Sequence, residues 1–295
     1  MTHRQRRLRP VAGVAAMVSV VALAACSSTA PSIDGDAGLA TAPSSVPTTA
    51  APTTAAPTTE LPPTTAASTT VPLPADYLGE EVIGTSVEGR EITAWHRGTE
   101  GGVVVLIVGV IHGDEDAGLP ILEQLGLESL PDGLDLWLMP ALNPDGVANQ
   151  VRGNANGVDL NRNFPYDWGP IEEPGHWQYA GTGPASEPET AAFVEFAQRI
   201  RPTLTIWYHQ DLFCLTPSKG RDRPLREAYS QISGLPFATV TGGTYTGVAA
   251  TWVRKEVPEA MSFIVELGPT VPDDERERHV DAVLEVSRML IAGEV

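Results

Sequence analysis

The most hydrophobic segment of the chain ends abruptly in ionisable residues. Residues 103–110, VVVLIVGV, are all apolar or glycine, which is typical of a strand buried on both faces of a sheet. A histidine and three acids follow directly: His112, Asp114, Glu115 and Asp116. The pattern therefore predicts a buried strand whose carboxyl end carries ionisable side chains.

Strands and helices alternate in the predicted order of elements. Segments of period two on either side of Glu88-Gly89 predict a hairpin. Strands separated by helices are typical of an α/β fold, here a three-layer α/β/α sandwich with a mixed, largely parallel central sheet. In such sheets, functional residues gather at the carboxyl ends of the strands. The further predicted strands are 134–140, 203–209 and 261–268, and the predicted helices are one from about Asp116 and the segments 186–200 and 273–293.

Two predictions concern the middle of the chain. Ser186 is the predicted N-cap of its helix, and Glu189, three residues on, would complete a capping box. Residues 141–185 are predicted to form a long polar loop, and a loop of that length in a compact domain is usually functional. It contains Arg152 and Arg162, whose guanidinium groups suit a carboxylate or a developing oxyanion. The alternative is that these arginines only neutralise excess acid at the surface.

The N-terminal quarter has the composition of an export signal followed by a tether. Residues 1–25 hold four arginines and then a short apolar run, as in a lipoprotein-type signal peptide. The run ends in LAAC, which resembles a bacterial lipobox and predicts lipidation of Cys26; an ordinary secretory signal is the alternative. Residues 26–74, rich in Thr, Pro and Ala, are predicted to be a disordered tether. We expect an exported protein, lipid-anchored to the outer face of the cytoplasmic membrane or otherwise secreted to the cell envelope.

The remaining residues, 75–295, are predicted to form one acidic domain. It contains 15 basic and 34 acidic residues, a net charge of −19. This balance argues strongly against nucleic acid as a partner, because phosphate binding needs a basic face. Cys214 is the only cysteine of the domain, so no disulfide can form within it.

The spacing His112-x-x-Glu115 could aim an imidazole nitrogen and a carboxylate oxygen at one metal ion. Two ligands do not complete a zinc site, however. A helix-capping histidine beside a solvated acid is the alternative that the spacing alone leaves open.

Several motifs taken together resemble the zinc carboxypeptidases of the M14 family. They are His112-x-x-Glu115, Asn143-Pro144-Asp145-Gly146, the run from Gly157 to Phe164, a later histidine at a strand end, and Glu266 in FIVELG. The resemblance spans residues 76–295 and implies a zinc metallocarboxypeptidase. It also implies one Zn²⁺ per chain, held by His112, Glu115 and His209, with the fourth position open as a catalytic zinc requires.

Further roles follow from the same resemblance. Asp159 matches the acid that orients the first zinc histidine from behind. Asn161 and Arg162 match the pair that binds the terminal carboxylate of the substrate. Arg152 matches the arginine that stabilises the oxyanion of the tetrahedral intermediate, and Glu266 matches the general base.

The surroundings of the third ligand, WYHQDL, and the short domain are more similar to the bacterial murein peptide amidase branch. Members of that branch cleave between γ-D-glutamate and meso-diaminopimelate in peptidoglycan peptides. Gln210 and Asp211 are then candidates for contact with the polar far end of diaminopimelate. Tyr245 lies near the position of a substrate-binding loop tyrosine in the digestive enzymes, although a core or lining tyrosine is the alternative. Ala250 offers no ion pair to a basic side chain.

The predicted function is therefore a zinc-dependent exopeptidase that hydrolyses the C-terminal amide bond of a peptide with a free carboxylate, and the favoured substrate is a peptidoglycan-derived peptide. Two alternatives remain: a general metallocarboxypeptidase that acts on ordinary peptides, and a catalytically inactive, tethered binding protein. Glu266 argues against the binding protein, which has no need of a base beside its metal. The remaining histidines are predicted to be surface residues or, for His3, part of the signal: His3, His96, His176 and His279.

Overall fold

The computed structural model describes residues 73–295, which contain seven strands and six α-helices. The predicted signal peptide, Cys26 and almost all of the predicted tether lie outside the described residues. The strands are β1 (Tyr77–Thr85), β2 (Glu91–Gly98), β3 (Val103–Val110), β4 (Leu134–Ala141), β5 (Leu204–Gln210), β6 (Cys214–Leu215) and β7 (Met261–Leu267). The helices are α1 (Leu119–Leu125), α2 (Pro144–Asn149), α3 (Pro188–Ile200), α4 (Arg223–Ser233), α5 (Ala249–Glu256) and α6 (Asp273–Ile291).

All seven strands form one mixed sheet in the order β1-β2-β4-β3-β5-β7-β6. The four central strands, β4, β3, β5 and β7, are parallel, whereas β1, β2 and β6 pair antiparallel at the two edges. The chain places β4 on one side of β3 and β5 on the other. The strand order therefore reverses between β3 and β5, and open α/β sheets bind ligands at such a point.

Helices cover both faces of the sheet, which confirms the predicted three-layer sandwich. One core packs the sheet against α1, α4 and α6, and the other packs it against α3 and α5. β3 is buried on both faces because its run of apolar residues alternates between the two cores. Of the helices within residues 73–295, none is both long enough and apolar enough to cross a membrane.

The predicted hairpin is confirmed as β1 and β2, which pair from Tyr77↔Arg97 to Thr85↔Glu91. Gly89 has φ +81°, a left-handed conformation that glycine adopts without steric cost. The turn is closed by a hydrogen bond from the Ser86 amide to the Arg90 carbonyl, at 2.8 Å. The Gly89 position therefore explains where the chain reverses.

The predicted capping box at Ser186 is wrong. Helix α3 begins at Pro188 with Glu187 as its N-cap residue, and no side chain caps it. The Ser186 hydroxyl instead donates to Glu187 and accepts from Asn163. Glu189 is also occupied elsewhere, since it accepts hydrogen bonds from the Val87 amide and from Asn154. Tertiary contacts thus use both polar side chains that the sequence assigned to the cap.

The segment 141–185 contains more regular structure than a loop. It includes α2 and a 3₁₀ turn at Leu160–Arg162. The Asn143 side chain caps α2 by accepting from the Gly146 amide at 2.9 Å. The buried Asp145 binds the hairpin turn through the Ser86 hydroxyl, at 2.7 Å, and the Glu88 amide, at 2.9 Å. The Asn-Pro-Asp-Gly motif therefore has a structural role: it begins α2 and attaches it to the hairpin turn.

Candidate metal centre and active-site cleft

The predicted metal ligands lie where the strand order reverses. His112 and Glu115 follow the end of β3, and His209 lies near the end of the adjacent parallel strand β5. Glu266 is the partner of His209 in the register of β5 and β7. Residues far apart in sequence are therefore brought together at the carboxyl ends of three neighbouring strands.

His112, Glu115 and His209 form a compact, buried cluster. The two Glu115 oxygens lie 2.9 Å from the His112 Nδ1 atom and 2.8 Å from the His209 Nδ1 atom. The two Nδ1 atoms are 3.1 Å apart, and the three potential ligand atoms all lie within 4.8 Å of one another. Two imidazole nitrogens and a carboxylate facing one point are a donor set that suits catalytic zinc.

Asp159 supports this donor set from behind. Its Oδ1 atom lies 3.0 Å from the His112 Nε2 atom, which fixes a tautomer with the proton on Nε2 and a lone pair on Nδ1 facing the cluster. Burial alone would raise the pKa of Asp159, but the neighbouring His112 and Arg152 outweigh it and hold the pKa below its usual range. Asp159 is therefore a carboxylate at neutral pH, as this role requires.

Arg152 extends over the cluster. Its terminal nitrogens lie 2.9 Å from the Glu115 carboxylate and 2.8 Å from the Asp159 carboxylate. The Nη1 atom is also 3.1 Å from the His112 Nδ1 atom, and the Trp177 ring covers the guanidinium at 5.2 Å. The arrangement places a positive charge beside the point on which the ligand atoms converge.

Arg162 is a buried cation with no carboxylate within 4.0 Å among the described residues. Its Nη1 atom donates to the Asn161 carbonyl at 2.7 Å, while its buried Nε–H has no partner in residues 73–295. The Tyr245 ring lies 5.1 Å from the guanidinium carbon. Burial lowers the pKa of Arg162. An unpaired guanidinium with a free N–H suits an anionic ligand.

Asn161 serves mainly to hold the local backbone. Its side-chain oxygen accepts from the Ala249 amide at 3.0 Å, at the start of α5, and its nitrogen lies 3.4 Å from the His209 Nε2 atom. Asn161 thus connects the 3₁₀ turn to α5 and to the third ligand.

Glu266 lies beside the ligand cluster and is half-buried. Burial and the negative charge of Glu115 raise its pKa to about 7. A carboxyl group with a pKa near neutrality can both take up and release a proton, which is the property of a general acid–base group. A positive metal ion at the adjacent cluster would lower this pKa.

Two adjoining cavities form the cleft. One of about 260 Å³ is lined by the ligand cluster, Arg152, Arg162 and Trp177. The other, of about 540 Å³, extends away between α4 and α5. Glu266 and Tyr245 line both cavities, so the proposed base faces the metal cluster and the larger cavity together.

The structure supports some of the remaining residue predictions and contradicts one of them. Gln210 lines the smaller cavity, but its amide is engaged by the Ala117 amide at 2.8 Å and the Pro269 carbonyl at 3.3 Å. Tyr245 lines the cleft and is 52% exposed, so it is not a core residue. The surface prediction for His279 is wrong, because its ring is fully buried and its Nδ1 atom lies 2.8 Å from the Tyr229 hydroxyl.

Sequence reasoning missed the polar lining of the larger cavity. Arg226 binds Asp222 at 2.7 Å within α4, and Arg254 in α5 lies opposite the same space. Neither α4 nor α5 was predicted, and no motif marks these residues. The Asp-x-x-x-Arg spacing from Asp222 to Arg226 was the one available signal, since it is typical of an ion pair on a helix.

The sequence and the fold are both similar to those of known zinc carboxypeptidases and murein peptide amidases. Residues 76–217 match the family described as zinc carboxypeptidase. Murein peptide amidase A of Escherichia coli K12 is 31% identical over 195 residues, which cover 62% of this chain and 78% of that protein. The crystal structure of murein-tripeptide amidase from Escherichia coli O157 superposes with a TM-score of 0.59 at 28% identity, covering 71% of this chain and 92% of that one.

A more distant structure agrees on the fold alone. Carboxypeptidase A from Helicoverpa armigera is 19% identical and has a TM-score of 0.62 over 74% of this chain and 69% of its own. The same sheet and helix arrangement therefore persists where most of the sequence differs. With the matched motifs and the buried histidine–glutamate–histidine cluster, these similarities establish that the chain belongs to the zinc carboxypeptidase family of peptide hydrolases.

Proposed function

We propose that this protein removes the C-terminal diaminopimelate residue from peptidoglycan-derived peptides by hydrolysing the γ-D-glutamyl–diaminopimelate bond. The observation that carries the chemistry is the unpaired, buried Arg162 guanidinium in the same cleft as the metal cluster and Glu266. The choice of substrate is supported by the similarity to murein peptide amidase A, which extends over 78% of that relative.

In this proposal, His112, Glu115 and His209 hold one zinc ion. When bound, zinc supplies a Lewis acid that polarises a carbonyl group and acidifies water. Asp159 keeps the His112 ring in the required tautomer and orientation through the 3.0 Å contact with Nε2. His112 and Glu115 follow β3, and His209 lies in the adjacent strand β5, so the rigid sheet fixes the ligand geometry.

Arg162 binds the terminal carboxylate of the substrate through its free N–H donors. This contact selects peptides with an unblocked C-terminus and fixes the position of the last amide bond relative to Glu266. Asn161, the residue before Arg162, assists carboxylate binding by connecting the 3₁₀ turn that carries Arg162 to α5 and His209. Arg152, which already lies against the ligand cluster, stabilises the oxyanion that develops on the scissile carbonyl; loss of such a donor typically costs about 100- to 1000-fold in rate.

Glu266 moves the proton. Its carboxylate accepts a proton from the attacking water and then passes it to the nitrogen of the departing amine. Burial in the cleft raises the pKa of Glu266 and so favours delivery of the proton to the amine, whereas bound zinc lowers it and favours the carboxylate that first takes the proton up. Tyr245, at the junction of the two cavities, contacts the substrate as part of the cleft wall.

Export and anchoring are also part of the proposal. A lipid on Cys26 and a Thr/Pro/Ala-rich tether over residues 26–74 would hold the catalytic domain at the outer face of the cytoplasmic membrane. There it would meet peptides released from the cell wall. The acidic domain itself offers no electrostatic attraction to anionic lipid, so the anchor would supply the attachment.

A second candidate is removal of C-terminal residues from ordinary α-linked peptides. It is favoured by similarity to metallocarboxypeptidase A of Trichophyton tonsurans, 31% identical over 150 residues, although the chain covers only 36% of that protein.

The two candidates are separated by assaying the purified full-length chain on L-Ala-γ-D-Glu-meso-diaminopimelate and on α-linked peptides. The proposal predicts release of diaminopimelate, abolished by a metal chelator and restored by zinc. Cleavage of α-linked peptides alone would replace the proposed substrate with the second candidate.

A further inference from the structure

Most, but not all, of the lysines and arginines in this acidic domain pair with a carboxylate. Of its fifteen lysines and arginines, ten lie within 4.0 Å of a carboxylate oxygen of another described residue. Among the five that do not, three line the cleft: Arg162 in the smaller cavity, and Lys219 and Arg254 in the larger one. Acids outnumber bases by more than two to one in this domain, so unpaired cations concentrated in one cleft point to an anionic ligand.

In the larger cavity, Arg254 is held in place by two neutral acceptors. It lies in the last turn of α5 and donates to the Ser262 carbonyl at 2.8 Å and to the Thr251 hydroxyl at 2.9 Å. Both acceptors are neutral, so the guanidinium is oriented without being neutralised. Part of the side chain is exposed, while desolvation and the nearby Arg226 lower the pKa of Arg254.

Arg226 lines the same cavity but, unlike Arg254, it is neutralised by an ion pair. Its Nε and Nη2 atoms both lie 2.7 Å from the Asp222 carboxylate, and further donors reach the Thr216 carbonyl and hydroxyl at 2.9 Å. That pair is buried and electrically neutral. It leaves the charge of Arg254 uncompensated, and Arg226 itself adds repulsion that an incoming carboxylate would relieve.

We propose that Arg254 binds a second carboxylate of the substrate, carried on the side chain of its C-terminal residue, and so selects acidic or zwitterionic side chains. This inference rests on the proposed carboxypeptidase function, in which Arg162 holds the terminal carboxylate. Two separate unpaired arginines then match two separate carboxylates on one residue. The Glu266 carboxyl group lies at the junction of the two cavities, as cleavage next to that residue requires.

Diaminopimelate has this chemistry, because its far end carries a carboxylate next to an ammonium group. Lysine is the matched comparison, since it has the same chain and ammonium group but lacks the far carboxylate. The small Ala250 side chain, which lines the larger cavity, leaves room for a long side chain to reach Arg254 at the end of α5. Side-chain recognition is thus assigned to Arg254, whereas the Gln210 amide is held by backbone groups.

The test compares kcat/KM of the full-length chain on two matched pairs of peptides. The first pair is L-Ala-γ-D-Glu ending in meso-diaminopimelate or in L-lysine, and the second is an α-linked peptide ending in 2-aminoadipate or in norleucine. We expect the peptide with the extra carboxylate to be preferred roughly tenfold to a hundredfold, the usual range for a charge-assisted hydrogen bond. Arg254→Met should remove this preference, and Arg254→Lys should retain part of it.

Lys255→Met is the matched control. Lys255 is the next residue of α5, also has no carboxylate within 4.0 Å among the described residues, and lines neither cavity of the cleft. This variant should keep the wild-type preference. Zinc content, measured for every variant, should stay at the wild-type value, and a lower melting temperature in Arg254→Met from the loss of its two hydrogen bonds should not change the zinc content.

Equal kcat/KM within each pair for the wild type would overturn the assignment. So would an equal loss on both members of a pair in Arg254→Met, because that indicates a structural role. If only the α-linked pair is cleaved, with a preference that depends on Arg254, the proposed wall substrate fails and the Arg254 assignment stands. Cleavage of none of the four peptides overturns both.

Discussion

At the scale of single residues, the site depends on charges that are left without partners in the protein. Arg162 is buried, has an unbonded Nε–H, and lies away from the carboxylates that hold Arg152. A guanidinium kept in this state is desolvated in advance, so a substrate carboxylate gains the full strength of a charge-assisted pair. Arg162 and Arg152, to which the sequence assigned different roles, therefore also have different environments.

We predict that Arg162→Met lowers kcat/KM on peptides with a free C-terminus by roughly a hundredfold, mainly through KM, because a charge-assisted pair is lost. Amidation of the substrate's C-terminus should cost the wild type a similar factor but cost the variant little. Steady-state kinetics on the free and amidated peptides measure both effects. An amidation penalty that is unchanged in Arg162→Met would show that another group binds the carboxylate.

His279 gives a prediction for stability against pH. Burial, with a smaller contribution from Arg278, lowers the pKa of His279 to about 4, compared with about 6.5 in an unfolded chain. As the pH falls below about 6.5, the unfolded state therefore binds the proton first and the folded state loses stability until about pH 4. The loss amounts to about 3 kcal/mol. Glu275, 3.6 Å from the ring, compensates little because its own raised pKa makes it lose charge in acid.

This prediction is checked by urea unfolding between pH 7 and pH 4. His279→Leu should flatten the dependence of the unfolding free energy on pH over that range. The control His176→Gln, which changes a partly exposed histidine, should keep the wild-type slope. A wild-type slope in His279→Leu would assign the acid sensitivity to other groups.

At the scale of elements, long apolar strands were predictable and polar local structure was less so. The run in β3 and the runs in β4, β5 and β7 are buried so completely that their pattern alone identifies them. The start of α3 was misplaced because Ser186 binds Asn163, a contact that depends on the fold. Helix α2 was missed because Asn-Pro-Asp-Gly is also a turn sequence, and only its packing against the hairpin distinguishes the two.

The ligand segment after β3 depends on close packing against α2. A side chain at Gly113 would place its first carbon 1.9 Å from the Gly146 carbonyl carbon, which no small rearrangement can accommodate. We predict that Gly113→Ala displaces His112 and Glu115, lowers zinc affinity at least tenfold and costs about 3 kcal/mol of stability.

Zinc titration and thermal unfolding measure both effects. Gly169→Ala is the control, because nothing lies within 4 Å of the added carbon there. Wild-type zinc affinity in Gly113→Ala would mean that the ligand segment is held independently of α2.

At the scale of the whole molecule, the sequence predicted the site better than it predicted the surroundings. The ligands and Glu266 were identified through the resemblance of their motifs to a known family, and the parallel strands of the sheet bring these residues together. The larger cavity was not predicted from the sequence. Its lining residues Arg226 and Arg254 come from two short helices that meet only in the folded chain. Catalytic motifs are short stretches of sequence that can be recognised directly, whereas a specificity cavity is formed by segments that are distant in sequence.

The proposed anchor is tested on the whole chain in its own cell. Cys26→Ala should move most of the protein from the membrane fraction to the soluble or secreted fraction, because the variant has no thiol to carry a lipid and the acidic domain does not attract anionic lipid. Purified, detergent-free activity of the variant should equal that of the wild type. An unchanged distribution between fractions would reject lipidation as the anchor.

The central claim, hydrolysis by a zinc cleft in which Glu266 moves the proton, is tested most directly by Glu266→Gln. The amide has nearly the same shape as the carboxyl group but cannot accept the proton, and Glu266 is not among the three metal ligands. The measurement is kcat on L-Ala-γ-D-Glu-meso-diaminopimelate together with the zinc content of the same sample. We predict about one zinc per chain with kcat reduced on the order of a thousandfold. Wild-type kcat in a zinc-loaded Glu266→Gln variant would contradict the account.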